Sequence, residues 1–272
     1  MRLVFAMVLA LVMTGCASPE ARLQTANEIA QRADLRAISV TAPPFTLAAY
    51  VRNSDPSNPV VIYIEGDGLA WISRSQPSLD PTPRNPVGLR LAAEDHGPNV
   101  IYLARPCQYV RVAACDVTYW TDRRFAEDVI RSMSAAIDAL IRPGQRIHLV
   151  GYSGGGAVAT MIAARRADVL SLRTVAGNLD HDALSLYHDV SPMVGSLNPR
   201  DVAQQLVGLP QFHYVGDRDK VVPPLVSASY LHAMGDTRCA AMIHVGGTSH
   251  DDGWVEFWRD AAKRMPKCRF PA

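Results

Sequence analysis

The chain has 272 residues, 48% of them hydrophobic and 19% charged, enough apolar material for a sizeable core and too much for a disordered chain. Its 27 basic and 26 acidic residues nearly cancel, which argues against a nucleic-acid or polyanion partner. At the N-terminus, Arg2 gives a short positive region, and Leu3 to Val12 is apolar but too short to span a bilayer as a helix. Residues 1–15 therefore read as a targeting signal outside the fold. Ser18 to Arg36 is polar and Ala-rich, so residues 16–35 read as a tether with a weak opening helix. Residues 36–272 are expected to form one domain.

Val40 to Val51 alternates around Pro43-Pro44 and supplies an early strand, followed by a turn over Asp55 to Pro59. Val60 to Ile64 is a continuous β-rich apolar run, the pattern of a strand buried on both faces. Trp71 to Pro86 is irregular, and Val100 to Leu103 is another short buried strand. Phe125, Val129, Met133, Ala136, Ile137 and Leu140 fall at helical spacing within Arg123 to Ile141, and Pro143-Gly144 ends that helix. Further strands are expected at Arg146 to Val150, Leu170 to Val175, Gln211 to Val215 and Ala240 to Val245. Helices are expected over Leu225 to Met234 and Asp252 to Arg264, and a long loop over Asn178 to Pro199. Strands alternating with helices imply an α/β fold: a mostly parallel central sheet with helices on both faces. A ligand site then belongs beyond the carboxyl ends of the strands.

Gly151-Tyr152-Ser153-Gly154-Gly155 stands between the Arg146 to Val150 strand and a small-residue helical pattern, Ala157 to Arg166. Gly-x-Ser-x-Gly arises by chance in about one chain of this length in ten, so the motif needs support from the rest of the chain. Its setting supplies some. A sharp strand-to-helix turn would lift the Ser153 hydroxyl clear of the sheet edge, and glycines two positions either side would avoid a collision of backbone. Ser153 would sit at a helix N-terminus, where unpaired N–H groups favour negative charge.

Two further segments complete a pattern. Gly216-Asp217-Arg218-Asp219-Lys220-Val221-Val222-Pro223 follows one late strand, and Gly246-Gly247-Thr248-Ser249-His250 follows the last. The order of strand, elbow serine, acid and histidine resembles the α/β-hydrolase superfamily over nearly all of the chain after the signal. That resemblance implies Ser153 as nucleophile, His250 as general base and Asp219 as the acid, aligned with Gly-x-x-Asp-x-x-Val-Pro. Asp217 is the rival acid, equally close to the strand end. The resemblance also implies an oxyanion hole from the Gly154 N–H and a second N–H in Glu65-Gly66-Asp67-Gly68, assigned to Asp67. Glu65 stands where that family often has His, and Asp67 brings a carboxylate that must be paired or turned away. Tyr109, Tyr119 and Trp120 are candidate pocket residues.

Met13-Thr14-Gly15-Cys16 resembles the bacterial lipoprotein lipobox, which implies lipidation of Cys16 and a membrane partner through that anchor. With Ala17 next, the resemblance implies the outer membrane, facing the periplasm. Removing Cys16 leaves four of five cysteines, an even number suited to an oxidising compartment. Of their three possible pairings, locality favours Cys107 with Cys115 and Cys239 with Cys268. His181 and His188 beside Asp180, Asp182 and Asp189 match no metal-ligand spacing, and no P-loop is present, so neither metal nor cofactor is expected. The expected function is a serine hydrolase cleaving small-molecule carboxylic esters through an acyl-enzyme. Peptidases, thioesterases and acyltransferases use the same machinery, and a non-catalytic envelope lipoprotein on this scaffold is the alternative from another class.

Overall fold

The computed structural model describes residues 18–268, so the lipidation expected at Cys16 lies outside the described residues. Its sheet has eight strands: β1 (Arg36–Ala42), β2 (Phe45–Asn53), β3 (Val60–Ile64), β4 (Asn99–Leu103), β5 (Ile147–Tyr152), β6 (Val169–Val175), β7 (Gln211–Gly216) and β8 (Ala240–Val245). The helices are α1 (Pro19–Arg32), α2 (Val87–Ala93), α3 (Glu127–Leu140), α4 (Gly154–Ala163), α5 (His181–His188), α6 (Pro224–Met234) and α7 (Trp254–Ala261). The strands lie in the order β1-β2-β4-β3-β5-β6-β7-β8. β1 pairs antiparallel with β2 and β2 antiparallel with β4, while every other neighbouring pair is parallel.

Alternation along the strands splits the core into two layers. Val60, Ile62 and Ile64 of β3 face a layer with α3, α4 and α6, whereas Val61 and Tyr63 face α1, α2 and α7. α4 is buried along its whole length, which its run of Gly, Ala and Val permits because small side chains let a helix lie close on the sheet. Among the described residues no helix is long and apolar enough to cross a membrane.

Three local expectations change, and one helix is added. Residues 36–53 form a hairpin rather than one strand, because Pro43 and Pro44 carry no N–H to continue a ladder. From Ser18 onward the expected tether is a packed helix: Ser18 caps α1, and Arg22, Ala26 and Ala30 are buried at four-residue spacing against the sheet. α2 begins just past the irregular 71–86 segment, where no element was expected. Its first N–H groups are satisfied from a distance, since the buried Glu65 carboxylate accepts from Gly88 and Leu89 at 3.0 and 3.3 Å. The expected 178–199 loop contains α5, whose N-cap Asp180 accepts from the Asp182 and Ala183 amides and whose C-cap Asp189 is left-handed.

Candidate active site

β5 ends at Tyr152 and α4 begins at Gly154, leaving Ser153 between them at φ 50° and ψ −122°. A non-glycine residue there is strained by about 1–3 kcal/mol and has to be held by its surroundings. The tightness of the turn is visible at Gly151, where a Cβ would come within 2.3 Å of the Gly155 carbonyl oxygen. It holds the serine at the carboxyl edge of the sheet.

The loop after β8 brings His250 over this serine. His250 Nε2 is 3.0 Å from Ser153 Oγ, and His250 Nδ1 is 2.9 Å from Asp219 Oδ2. A carboxylate only accepts, so Nδ1 carries the proton and Nε2 is free to accept from the serine hydroxyl. Asp219 is buried, and its other oxygen accepts from the Val221 and Val222 amides, each at 2.8 Å. Those bonds fix the carboxylate's direction. Asp217, the rival acid, is exposed, and its carboxylate accepts from the Gly247 amide instead. The structure therefore joins Asp219, not Asp217, to His250.

Groups that carried no motif of their own position this histidine. Tyr152 donates its hydroxyl to the His250 carbonyl at 3.0 Å and to Asp251 Oδ1 at 2.6 Å. Trp254 Nε1 donates to the Ser249 and His250 carbonyls at 2.8 and 2.9 Å. The Tyr152 ring lies 5.4 Å from the imidazole, centroid to centroid. In the sequence, the only sign of these roles is proximity: Tyr152 inside the elbow and Trp254 four residues after His250.

The turn after β3 lies beside the elbow. Asp67 packs against Gly154, and among the described residues neither of their N–H groups has a protein acceptor. The Asp67 carboxylate is paired: Arg105 Nη1 donates to Oδ1 at 3.2 Å and Arg124 Nη1 to Oδ2 at 2.7 Å. Burial pushes the Asp67 carboxyl up, but the two guanidinium groups outweigh it and hold the carboxyl below its ordinary range. Glu65, in the place often held by His, has no such role at the elbow. Its carboxylate caps α2 and accepts from Gly66 N and the Tyr102 hydroxyl, while burial raises its pKa.

Ser153 lies in a cleft of about 680 Å³. Asp67, Arg124 and Asn178 supply polar lining, and Trp71, Leu184 and Met193 supply apolar wall. Asn178 is tied to the elbow by its amide, which donates to the Ser153 carbonyl at 3.0 Å. Tyr109, Tyr119 and Trp120 are not part of this lining. Tyr119 packs edge-on against Phe45 and donates to Asp128, and Trp120 is buried with its Nε1 donating to the Ser78 carbonyl. The disulfides are Cys107–Cys115 and Cys239–Cys268, the local pairing. His181 is buried and stacks on Phe125, while His188 meets the Val221 carbonyl at 2.8 Å. Among the described residues no group of three or more His, Cys, Asp or Glu side chains is arranged to hold a metal ion.

No protein-family model matches the sequence, and no curated protein matches it. Solved structures do. The Pyrococcus furiosus esterase PF2001 is 12% identical over 92% of this chain and 93% of its own, with a TM-score of 0.62. Est1E from Butyrivibrio proteoclasticus is 15% identical over 84% of this chain and 96% of its own, with a TM-score of 0.56. XC6422 from Xanthomonas campestris, an α/β serine hydrolase without a lid, is 17% identical over 84% of this chain and 92% of its own, with a TM-score of 0.53. At these identities the likeness is one of fold, and the fold is that of the α/β hydrolases.

Proposed function

We propose that the protein is a serine hydrolase that cleaves carboxylic esters through an acyl-enzyme and is held at the bacterial envelope by a lipid on Cys16. One observation carries the chemistry: a single imidazole bridges Ser153 Oγ at 3.0 Å and the buried Asp219 carboxylate at 2.9 Å. The fold alone hosts many functions, so the site has to bear the argument.

In this reading His250 Nε2 takes the hydroxyl proton as Ser153 Oγ attacks the ester carbonyl carbon. Asp219 holds Nδ1–H and stabilises the imidazolium. The carbonyl oxygen becomes an oxyanion that accepts from the Gly154 and Asp67 N–H groups. As the tetrahedral intermediate collapses, the C–O bond to the alcohol breaks and His250 returns its proton to that alcohol. Water then attacks the acyl-enzyme by the same route, with His250 as its base, and releases the carboxylic acid and the free serine. Arg105 and Arg124 matter here because an unpaired Asp67 carboxylate would oppose the oxyanion; paired to both, it belongs to a cluster of net positive charge.

The envelope address rests on the short apolar signal and the Met13-Thr14-Gly15-Cys16 sequence, with two disulfides in keeping with an oxidising compartment. Incorporation of labelled fatty acid into the full chain, lost on Cys16→Ser, tests it. For the chemistry, Ser153→Ala should abolish hydrolysis of a short-chain p-nitrophenyl ester while the protein stays folded. A fluorophosphonate probe should label the parent at Ser153. Unchanged turnover in the alanine variant sinks the mechanism, and a folded parent that resists the probe favours a non-catalytic protein.

A further inference from the structure

Six of the twelve exposed large apolar side chains among the described residues are Trp71, Ile72, Leu186, Val190, Val194 and Val221. Trp71, Val190 and Val221 line the cleft directly, and the other three lie on the same segments beside lining residues. These segments follow β3, β6 and β7, so all six stand at the carboxyl ends of the strands, around the mouth that leads to Ser153. Apolar surface gathered at one opening, rather than scattered singly, marks a contact surface.

The start of the described chain lies on that same face. α1 runs down the sheet from the carboxyl ends to the amino ends. Near its first turn, Arg22 Nη1 donates to the Thr82 carbonyl at 2.6 Å and pairs with Asp80 at 3.8 Å. Both belong to the segment folded back on Leu69 and Ala70, whose tip carries Trp71 and Ile72. Past the other end of α1, Arg52 of β2 donates to the Ala33 carbonyl, one residue from the pairing of Asn53 with Asn99 at the start of β4. Ser18 thus sits at the face of the cleft. Cys16 is two residues earlier, within about 7 Å of chain reach.

We propose that the apolar rim of the cleft rests on a lipid surface, with Trp71 at the boundary between headgroups and acyl chains. An acyl group on Cys16 would bring this face, and not the opposite one, against the bilayer. A half-exposed tryptophan with apolar neighbours suits that boundary, where one side of the ring is apolar and the other wet. A second copy of the chain would leave the position of Ser18 on this face without a role. Resting on the reading of Ser153 as nucleophile, the substrate class is then an acyl ester resident in the membrane, rather than a small soluble ester.

Tryptophan fluorescence tests the docking without using activity. Of the four tryptophans, Trp120, Trp254 and Trp258 are buried at 4%, 0% and 0% exposure and Trp71 is 40% exposed. The full chain is reconstituted in phosphatidylcholine vesicles with and without brominated acyl chains, and Trp71→Phe supplies the background. Docking predicts about a twofold loss of Trp71 emission in the brominated vesicles. That loss should disappear in Ile72→Asp/Val194→Asp and persist in Ser153→Ala. Persistence in the serine variant separates this proposal from the hydrolase reading. Vesicle-bound protein with unquenched Trp71, protein that does not bind vesicles, or a dimer that shields Trp71 without lipid would each overturn it.

Discussion

The Asp67 carboxylate lies so close to Gly154 that a Cβ on the glycine would come within 2.0 Å of Asp67 Oδ1. The residue after the elbow serine therefore has to be glycine here because of its neighbour across the site, and that neighbour is clamped by Arg105 and Arg124 and cannot swing aside freely. Gly154→Ala should displace Asp67 or tilt the start of α4, lowering stability by about 1–3 kcal/mol. It should lower kcat/KM for a short ester by about 100-fold, the scale of a lost oxyanion donor. Gly208→Ala is the control: a Cβ there meets nothing within 4 Å, so both quantities should hold. Parallel urea melts and ester assays read the difference, and equal behaviour of the two variants would remove Asp67 from the site.

The same clamp sets a second expectation, tested as a double-mutant cycle. Arg124→Gln leaves a carboxylate beside the oxyanion with one cation fewer, so kcat should fall about 10–100-fold with little change in KM. Asp67→Asn keeps the backbone donor and removes the charge that needed neutralising, so its own cost is smaller. The double variant should then be faster than Arg124→Gln alone. Losses that simply multiply would show that Arg124 does not act through Asp67.

Asp219 and Asp217 stand two residues apart, but only one touches His250. Asp219→Asn leaves an amide that can hold the imidazole in the wrong tautomer, and kcat should drop about 10⁴-fold. Asp217→Asn keeps an oxygen for the Gly247 amide and should leave kcat within about twofold. Steady-state kinetics on the two variants distinguish them, and a larger loss from Asp217 would reverse the assignment.

The sheet, its parallel centre and the positions of Ser153, Asp219 and His250 were legible because each rests on local pattern: apolar strand runs, a turn that needs glycine, loops that follow strands. What escaped depends on partners distant in sequence. α2 has only seven residues and is capped by Glu65 from β3's end, so nothing near residues 87–93 announces it. α5 buries His181 and Ser185 rather than an apolar stripe, which hides its period. The pairings of Asp67 with Arg105 and Arg124 span 38 and 57 residues, so no local pattern announces either. The preference for Asp219 over Asp217 rested on the Val-Val-Pro that follows, and in the structure the amides of that same stretch, Val221 and Val222, donate to Asp219 and aim it at His250.

Stability should fall as the solution is acidified, through a histidine outside the site. His213 on β7 is fully buried; its Nδ1 lies 2.9 Å from Thr174 Oγ1, and Tyr230 meets its ring edge-on at 5.3 Å. Among the described residues its Nε2 has no hydrogen-bond partner, and burial pulls its pKa down from 6.5 to about 3. The unfolded chain therefore binds a proton below pH 6.5 that the folded chain refuses until about pH 3. Its contribution is fully present above the unfolded value and is lost as the pH falls through that window, with a slope approaching about 1.4 kcal/mol per pH unit. His148 adds in the same direction, pulled down to about 4 by burial and then by Arg173 and Arg146. His213→Gln carries no titrating group, so whatever its absolute stability, its urea-unfolding free energy should decline less steeply between pH 6.5 and 4.5 than the parent's. Equal slopes in the two proteins would assign the acid sensitivity to other groups.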